Sequence, residues 1–361
     1  MIETAPRVDL LKTRQHFEIL DGLRGIAAVS VVIFHFMEIA VPDYEKSFIA
    51  HSYLAVDFFF CLSGFVIAYA YDNRLEKIGI GSFLKLRLIR LHPLVIIGAI
   101  IGLLAFIFDP FSNLHQQYAD KLLPMFIASC FMIPYPIVRE RFFNLFHLNP
   151  PTWSLFWEYV VNIVYAIVLI RLPKKILWVL AVIAAGALCY EAHKTTNLSG
   201  GWGGDNILGG FIRVSYSFLA GILVYRSRWI IQSKLGFLSV GLLTFAVFVF
   251  PFVNAYNWIV DPAIVIFYLP FLVALGAGAT LRPAFAKLCR FSGEISYPLY
   301  MVHYPFIWIF MSYVEKFKPT IGQMTPIIII GTISMILLAY VVMIGIDIPV
   351  RKWLKNRMKQ H

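Results

Sequence analysis

The 361 residues are 60% hydrophobic and 14% charged, with a formal charge of +11 and a mean hydropathy of +0.75, whereas a soluble domain is about half apolar and about a quarter charged. A water-soluble globular chain is excluded, and Lys and Arg clustered between apolar runs read as cytoplasmic loops, not as a nucleic-acid surface. Cys61, Cys130, Cys189 and Cys289 form no C-x-x-C pair, so neither a zinc site nor a disulfide framework is expected.

The apolar runs are about twenty residues long, enough to cross a hydrocarbon core of about 30 Å. Spans are predicted at 23–40, 53–71, 91–108, 153–170, 176–190, 209–225, 235–253, 262–280, 295–314 and 325–346. The expected architecture is all-α and polytopic: one membrane domain over 1–361 with about ten transmembrane helices, a cytoplasmic segment at 1–22 and a basic cytoplasmic tail at 347–361. The first run contains Arg24 and His35 and lacks a small-residue cleavage site, so it reads as an uncleaved span. With the N-terminus inside, the inside segments hold 22 of the 31 Lys and Arg and the outside segments 7, which sets both termini in the cytoplasm. The apolar stretch 121–138 carries Pro124, Pro134 and Pro136; it reads as re-entrant or interfacial, since an extra span would expose the basic tail. The Gly-rich stretch 191–210 reads as a flexible surface loop.

The first span opens Leu20-Asp21-Gly22-Leu23-Arg24-Gly25 and runs on to His35. The separation of Arg24 and His35 corresponds to about three helical turns and about 16 Å of rise, which puts both on one face. Arg24 falls at the cytosolic mouth and His35 near the bilayer midplane. An ionisable side chain at that depth faces a bundle interior or a watery cavity; it serves as interhelical glue or, as a neutral imidazole, as a general base.

In the second span, Phe58-Phe59-Phe60-Cys61-Leu62-Ser63-Gly64-Phe65 sets a small pair in an aromatic run. Close helix packing is its plain reading, with Ser63 also a candidate along a donor's path. Before the third span, Arg87 and Arg90 form either an ordinary positive-inside cluster or a guanidinium pair aimed at a phosphate, which would suit coenzyme A. The fourth span opens Pro151-Thr152-Trp153-Ser154-Leu155-Phe156-Trp157-Glu158. Its tryptophans are interfacial anchors, and Glu158, on the face of Ser154, is a candidate for orienting a base or an acceptor hydroxyl. In the ninth span, Tyr300 and His303 are three apart between Pro298 and Pro305, which loosen backbone bonds that a cavity can use. Either His303 and His35 line one chamber or they are separate structural histidines.

Together these segments resemble the acyltransferase-3 family of integral membrane O-acyltransferases. The resemblance rests on LDGLRG with its Arg and His, FF-x-x-SGF, R-x-x-R, W-S-L-x-x-E and S-Y-x-x-Y-x-x-H-x-P, in that order over nearly the whole chain. It implies ten membrane helices, an acyl-CoA donor (commonly acetyl-CoA) with no permanently bound cofactor, and a carbohydrate or glycolipid hydroxyl as acceptor. It also implies function at Arg24 and His35 and donor binding at Arg87 and Arg90. Asp347 stands before Pro349 where similar sequences often have Glu. Some relatives carry an added esterase-like domain, so a second transfer step is expected to need a partner protein.

The expectation is a membrane acyltransferase of a bacterial inner membrane, surrounded by lipid, with no metal and no nucleic-acid partner. Its catalytic candidates are His35, Arg24, Glu158, His303 and Tyr300, and its donor-binding candidates Arg24, Arg87, Arg90 and Ser63. His35 would deprotonate the acceptor or carry the acyl group as an acyl-imidazole. A transporter or flippase is the rival reading, since intramembrane Arg, His and Glu also mark substrate pathways; against it stands the lack of internal symmetry. A non-enzymatic assembly subunit is a third.

Overall fold

The structure, a computed structural model, describes residues 17–360. Among the described residues the elements are helical and no strand forms, as expected of a chain that must satisfy its backbone inside a bilayer. Helix α1 is Glu18–Ala40, α2 Ala55–Tyr71 after a short 3-10 turn Ala50–Leu54, and α3 Ile80–Ile107. Then come α4 Leu122–Phe131, α5 Thr152–Ile167, α6 Lys174–Thr195, α7 Ile207–Arg226 and α8 Phe237–Phe248. Helix α9 covers Asn257–Gly278 with a π-helical turn at its centre. It is followed by α10 Pro283–Val302, α11 Tyr304–Phe317, α12 Ile321–Val342 and, after a π turn Met343–Asp347, α13 Ile348–Gln360.

Seven helical stretches among the described residues are long and apolar enough to cross a membrane, so the chain is an all-α polytopic membrane protein. The other three predicted spans fall on α5, on α8 and on the α10–α11 pair, which are short or interrupted. Helix α4, with 10 residues, rises about 15 Å, half of what a crossing requires. It ends at Met132 in the left-handed conformation, φ 53°.

Several boundaries differ from the sequence reading, each for a local reason. Helix α1 starts at Glu18, before the apolar run, because Glu18 and Asp21 in its first turn complement the helix dipole. Helix α3 starts at Ile80, so Arg87 and Arg90 project from well inside a helix and not from its start; Leu, Lys and Arg propagate helix well. The predicted ninth span is two helices, because Pro305 has no N–H to offer the Met301 carbonyl. Asn149 Nδ2 donates to that carbonyl instead, at 2.9 Å. The tail expected over 347–361 is helical from Ile348 to Gln360, and of the segment 1–22 only the residues from Phe17 onward are described.

Close helix contacts use glycine. Helices α1 and α10 pack along most of their length, and a Cβ on Gly25 would collide with Ser292 while one on Gly293 would collide with Asp21. Helices α2 and α7 meet the same way: a Cβ on Gly64 would strike the Phe218 carbonyl and one on Gly221 the Cys61 carbonyl. Gly64 therefore has the packing role expected of it. The α2–α7 interface also holds Arg213, 1% exposed, against Asp57, 0% exposed, at 2.6 Å. Further bonds from Arg213 to the Tyr53 and Gly200 carbonyls, at 2.9 and 2.8 Å, complete its fork.

The stretch expected to be a flexible loop is tied down. Leu145 N–H donates to Trp202 O at 2.9 Å and Gly204 N–H to Phe143 O at 3.0 Å. Gly201 takes φ 117°, open to glycine and rarely to other residues.

Candidate active site

Two clusters of polar side chains lie at different depths, linked by α1. The first gathers around Arg24. Its guanidinium pairs with Asp21 at 3.2 Å and stands within electrostatic reach of Arg87. Arg87 and Arg90, three apart on α3, lean to the same side, and Arg90 feels the charges of Arg87, Arg24 and Arg351. Arg87 Nη2 donates to Glu158 Oε1 at 2.8 Å, and the same oxygen accepts from Ser63 Oγ and from Asn162 Nδ2 at 3.1 Å. One carboxylate oxygen thereby joins α2, α3 and α5. The buried Arg87 Nε makes no hydrogen bond.

The second cluster gathers around His35, five residues before Ala40 at the end of α1. It therefore stands in the last two turns of α1. His35 Nδ1 donates to Glu38 Oε1 at 2.7 Å, and Tyr304 donates to the same oxygen at 3.4 Å. The Tyr304 ring meets His35 edge-on with centroids 4.6 Å apart. His303 stacks on His35 at 5.4 Å and 21°. His303 is 0% exposed; its Nδ1 donates to Leu299 O at 3.0 Å, and its Nε2 has no partner in the protein. Both imidazoles thus commit Nδ1–H and keep the Nε2 lone pair, which is the form a general base needs. In His35 the carboxylate orients the ring and would neutralise an imidazolium.

The structure brings His35 together with His303, and Arg24 with Arg87 and Arg90. Tyr300 sits one turn before His303, its ring 6.0 Å away, with its hydroxyl on Ser154 Oγ at 2.8 Å. Glu158 and Ser63 it places with the guanidinium cluster and not with His35. The carboxylate beside His35 is Glu38, which sequence reasoning passed over although its spacing of three from a histidine within a span is a signal. Tyr304 was missed too.

A third group was invisible in the sequence. Arg141, 2% exposed, was counted as a loop cation. It donates to Ser312 Oγ at 2.5 Å, and Ser312 donates to Asp109 at 2.6 Å. The guanidinium lies over Trp308 at 5.0 Å. A small cavity, no larger than a water molecule needs, touches Arg141, His147, Trp308 and Pro305, and Tyr304 against Trp308, 5.0 Å between ring centroids, links it to the His35 cluster.

A family model described as an acyltransferase domain matches residues 17–344. The chain is 38% identical over 162 residues to "Protein 2 in picA locus" of Rhizobium radiobacter, covering 42% of this chain and 82% of that one. It is 26% identical over 379 residues to the O-acetyltransferase OatA of Staphylococcus aureus, covering 96% of this chain and 59% of OatA. It therefore spans about three fifths of OatA's length. No solved structure matches.

Proposed function

The chain belongs to the acyltransferase-3 family, and from that premise we propose that it moves an acyl group, acetyl in the first instance, from cytosolic acyl-CoA to a hydroxyl of an extracytoplasmic or membrane-linked carbohydrate. The reading sets both termini in the cytoplasm of a bacterium and the protein in its inner membrane. The donor's phosphates dock at Arg24, Arg87 and Arg90, with Glu158 and Ser63 holding Arg87 in place. The pantetheine arm runs along α1, and the thioester reaches His35, about 16 Å further along the helix axis.

There the acceptor oxygen attacks the thioester carbonyl while His35 Nε2 takes the hydroxyl proton. The C–O bond forms, the C–S bond breaks, and the departing thiolate takes the proton back from the imidazolium. Glu38 stabilises the imidazolium between these events. His303 Nε2 accepts a hydrogen bond from a neighbouring hydroxyl of the carbohydrate and so aims the reacting one at His35, with Tyr300 packed beside it. The observation that carries this reading is the oriented imidazole: His35 bonded to Glu38 at 2.7 Å and stacked on a second imidazole with a free Nε2.

The test is thioester cleavage. Purified protein in lipid nanodiscs, given acetyl-CoA and cell-envelope glycans, should release free thiol in an acceptor-dependent manner. His35→Ala should abolish release while retaining wild-type circular dichroism. Acceptor-independent background alone from wild type, or an unchanged rate in His35→Ala, would defeat the proposal.

A further inference from the structure

We propose that Arg351 and Lys355, on the C-terminal helix α13, complete the phosphate grip of the donor site; this rests on the reading that acyl-CoA docks beside Arg24. Both residues lie past the segment that the family model matches, 17–344. A positive-inside reading treats them as topology charges and gives them no ligand.

The geometry gives them one. Helix α13 continues from α12 through a π turn and packs on α3, the helix that carries Arg87 and Arg90. Arg351 and Lys355 are four apart and share a face, and both stand within electrostatic reach of Arg90. Arg351 is held by Asp347, which is 1% exposed, at 2.7 Å. The carboxylate before Pro349 therefore positions a guanidinium at the mouth.

Three of the five cations have a carboxylate each: Arg24 with Asp21, Arg87 with Glu158 and Arg351 with Asp347. Arg90 and Lys355, both exposed, form no ion pair among the described residues. Such a surplus of like charge repels itself unless an anion is present. Planar guanidinium forks beside an ammonium match the oxygens of a phosphate ester. A lipid headgroup offers the same chemistry, so the test must separate the two.

The measurement is coenzyme A binding to the full-length protein in nanodiscs, followed by isothermal titration calorimetry in zwitterionic lipid and again with anionic phosphatidylglycerol. The double variant Arg351→Gln/Lys355→Gln should raise the dissociation constant about tenfold or more in both lipids, the loss expected for a hydrogen bond to a charged group. Arg357→Gln, which removes one charge as Lys355→Gln does but from an exposed position two residues past Lys355 and six past Arg351, on the other side of α13, should stay within about twofold of wild type, the range left by screened surface charge. Lys355→Gln alone, at an exposed position, should cost about threefold and keeps the test open if the double variant misfolds.

Equal losses from Arg357→Gln and Lys355→Gln would show bulk charge at work and overturn the inference. Wild-type affinity in the double variant would show that these residues do not hold the donor, and a loss confined to anionic discs would assign them to lipid; either result overturns the inference while leaving the donor reading intact. If wild-type protein fails to bind coenzyme A in either lipid, the donor reading itself fails.

Discussion

Replacing Glu38 with Gln keeps the shape of the side chain and removes its charge. The His35 to Glu38 distance of 2.7 Å is that of a charge-assisted bond, and a hydrogen bond to a charged group contributes about 1.5–3 kcal/mol. The contribution is largest when His35 holds the acceptor's proton, so its loss falls mainly on the barrier. At about 1.4 kcal/mol per factor of ten, turnover should fall about ten- to hundredfold. Side-chain exposures of 20% and 23% let solvent screen the pair and favour the lower part of that range. Tyr304 can still donate to the amide oxygen, so the site should keep its outline.

The assay is thiol release at saturating acetyl-CoA and glycan, with kcat and the donor KM determined separately. The loss should appear in kcat, with donor KM within about twofold, the scatter of surface effects, because the Arg24 cluster is untouched. Wild-type kcat in Glu38→Gln, or a loss confined to donor KM, would show that Glu38 does not orient the base.

Glu158→Gln should act in the opposite way, raising donor KM about tenfold with kcat largely kept, because Glu158 holds Arg87 and Ser63; a kcat-only defect would contradict this. Asp57→Ala strands the buried Arg213 charge and should cost about 3–5 kcal/mol of stability, read as an earlier unfolding transition in detergent; an unchanged midpoint would contradict it. Direct transfer predicts no burst of thiol when enzyme is mixed with acetyl-CoA in the absence of acceptor, and a stoichiometric burst would favour an acyl-imidazole on His35 instead.

Helix placement was legible because an apolar run of about twenty residues has one stable form inside a bilayer, and helix is the form that pairs its own backbone. The proline count of 121–138 likewise marked a segment that stops short, and α4 does so at Phe131. Pairings between distant residues were not legible. Arg213 with Asp57, and Arg87 with Glu158, join positions 156 and 71 apart, and no periodicity within either helix encodes that meeting. Glu158 was legible as a carboxylate inside a span, but its partners Arg87 and Ser63 come from two other helices. The interruption at His303 was half visible: Pro298 and Pro305 signalled loosened backbone, but only packing shows that the break presents an imidazole to His35. Helix α13 was hidden for a different reason, since the positive-inside rule counts charges and is silent about what they face.

In the proposed reaction an acyl group enters beside Arg24 and leaves beside His35. This route is tested most directly in sealed proteoliposomes of uniform orientation, with labelled acetyl-CoA only on the Arg24 face and glycan only on the other. Label should appear on the glycan with wild-type protein and not with His35→Ala. Label appearing only when donor and acceptor share one face, or persisting in His35→Ala, would contradict it.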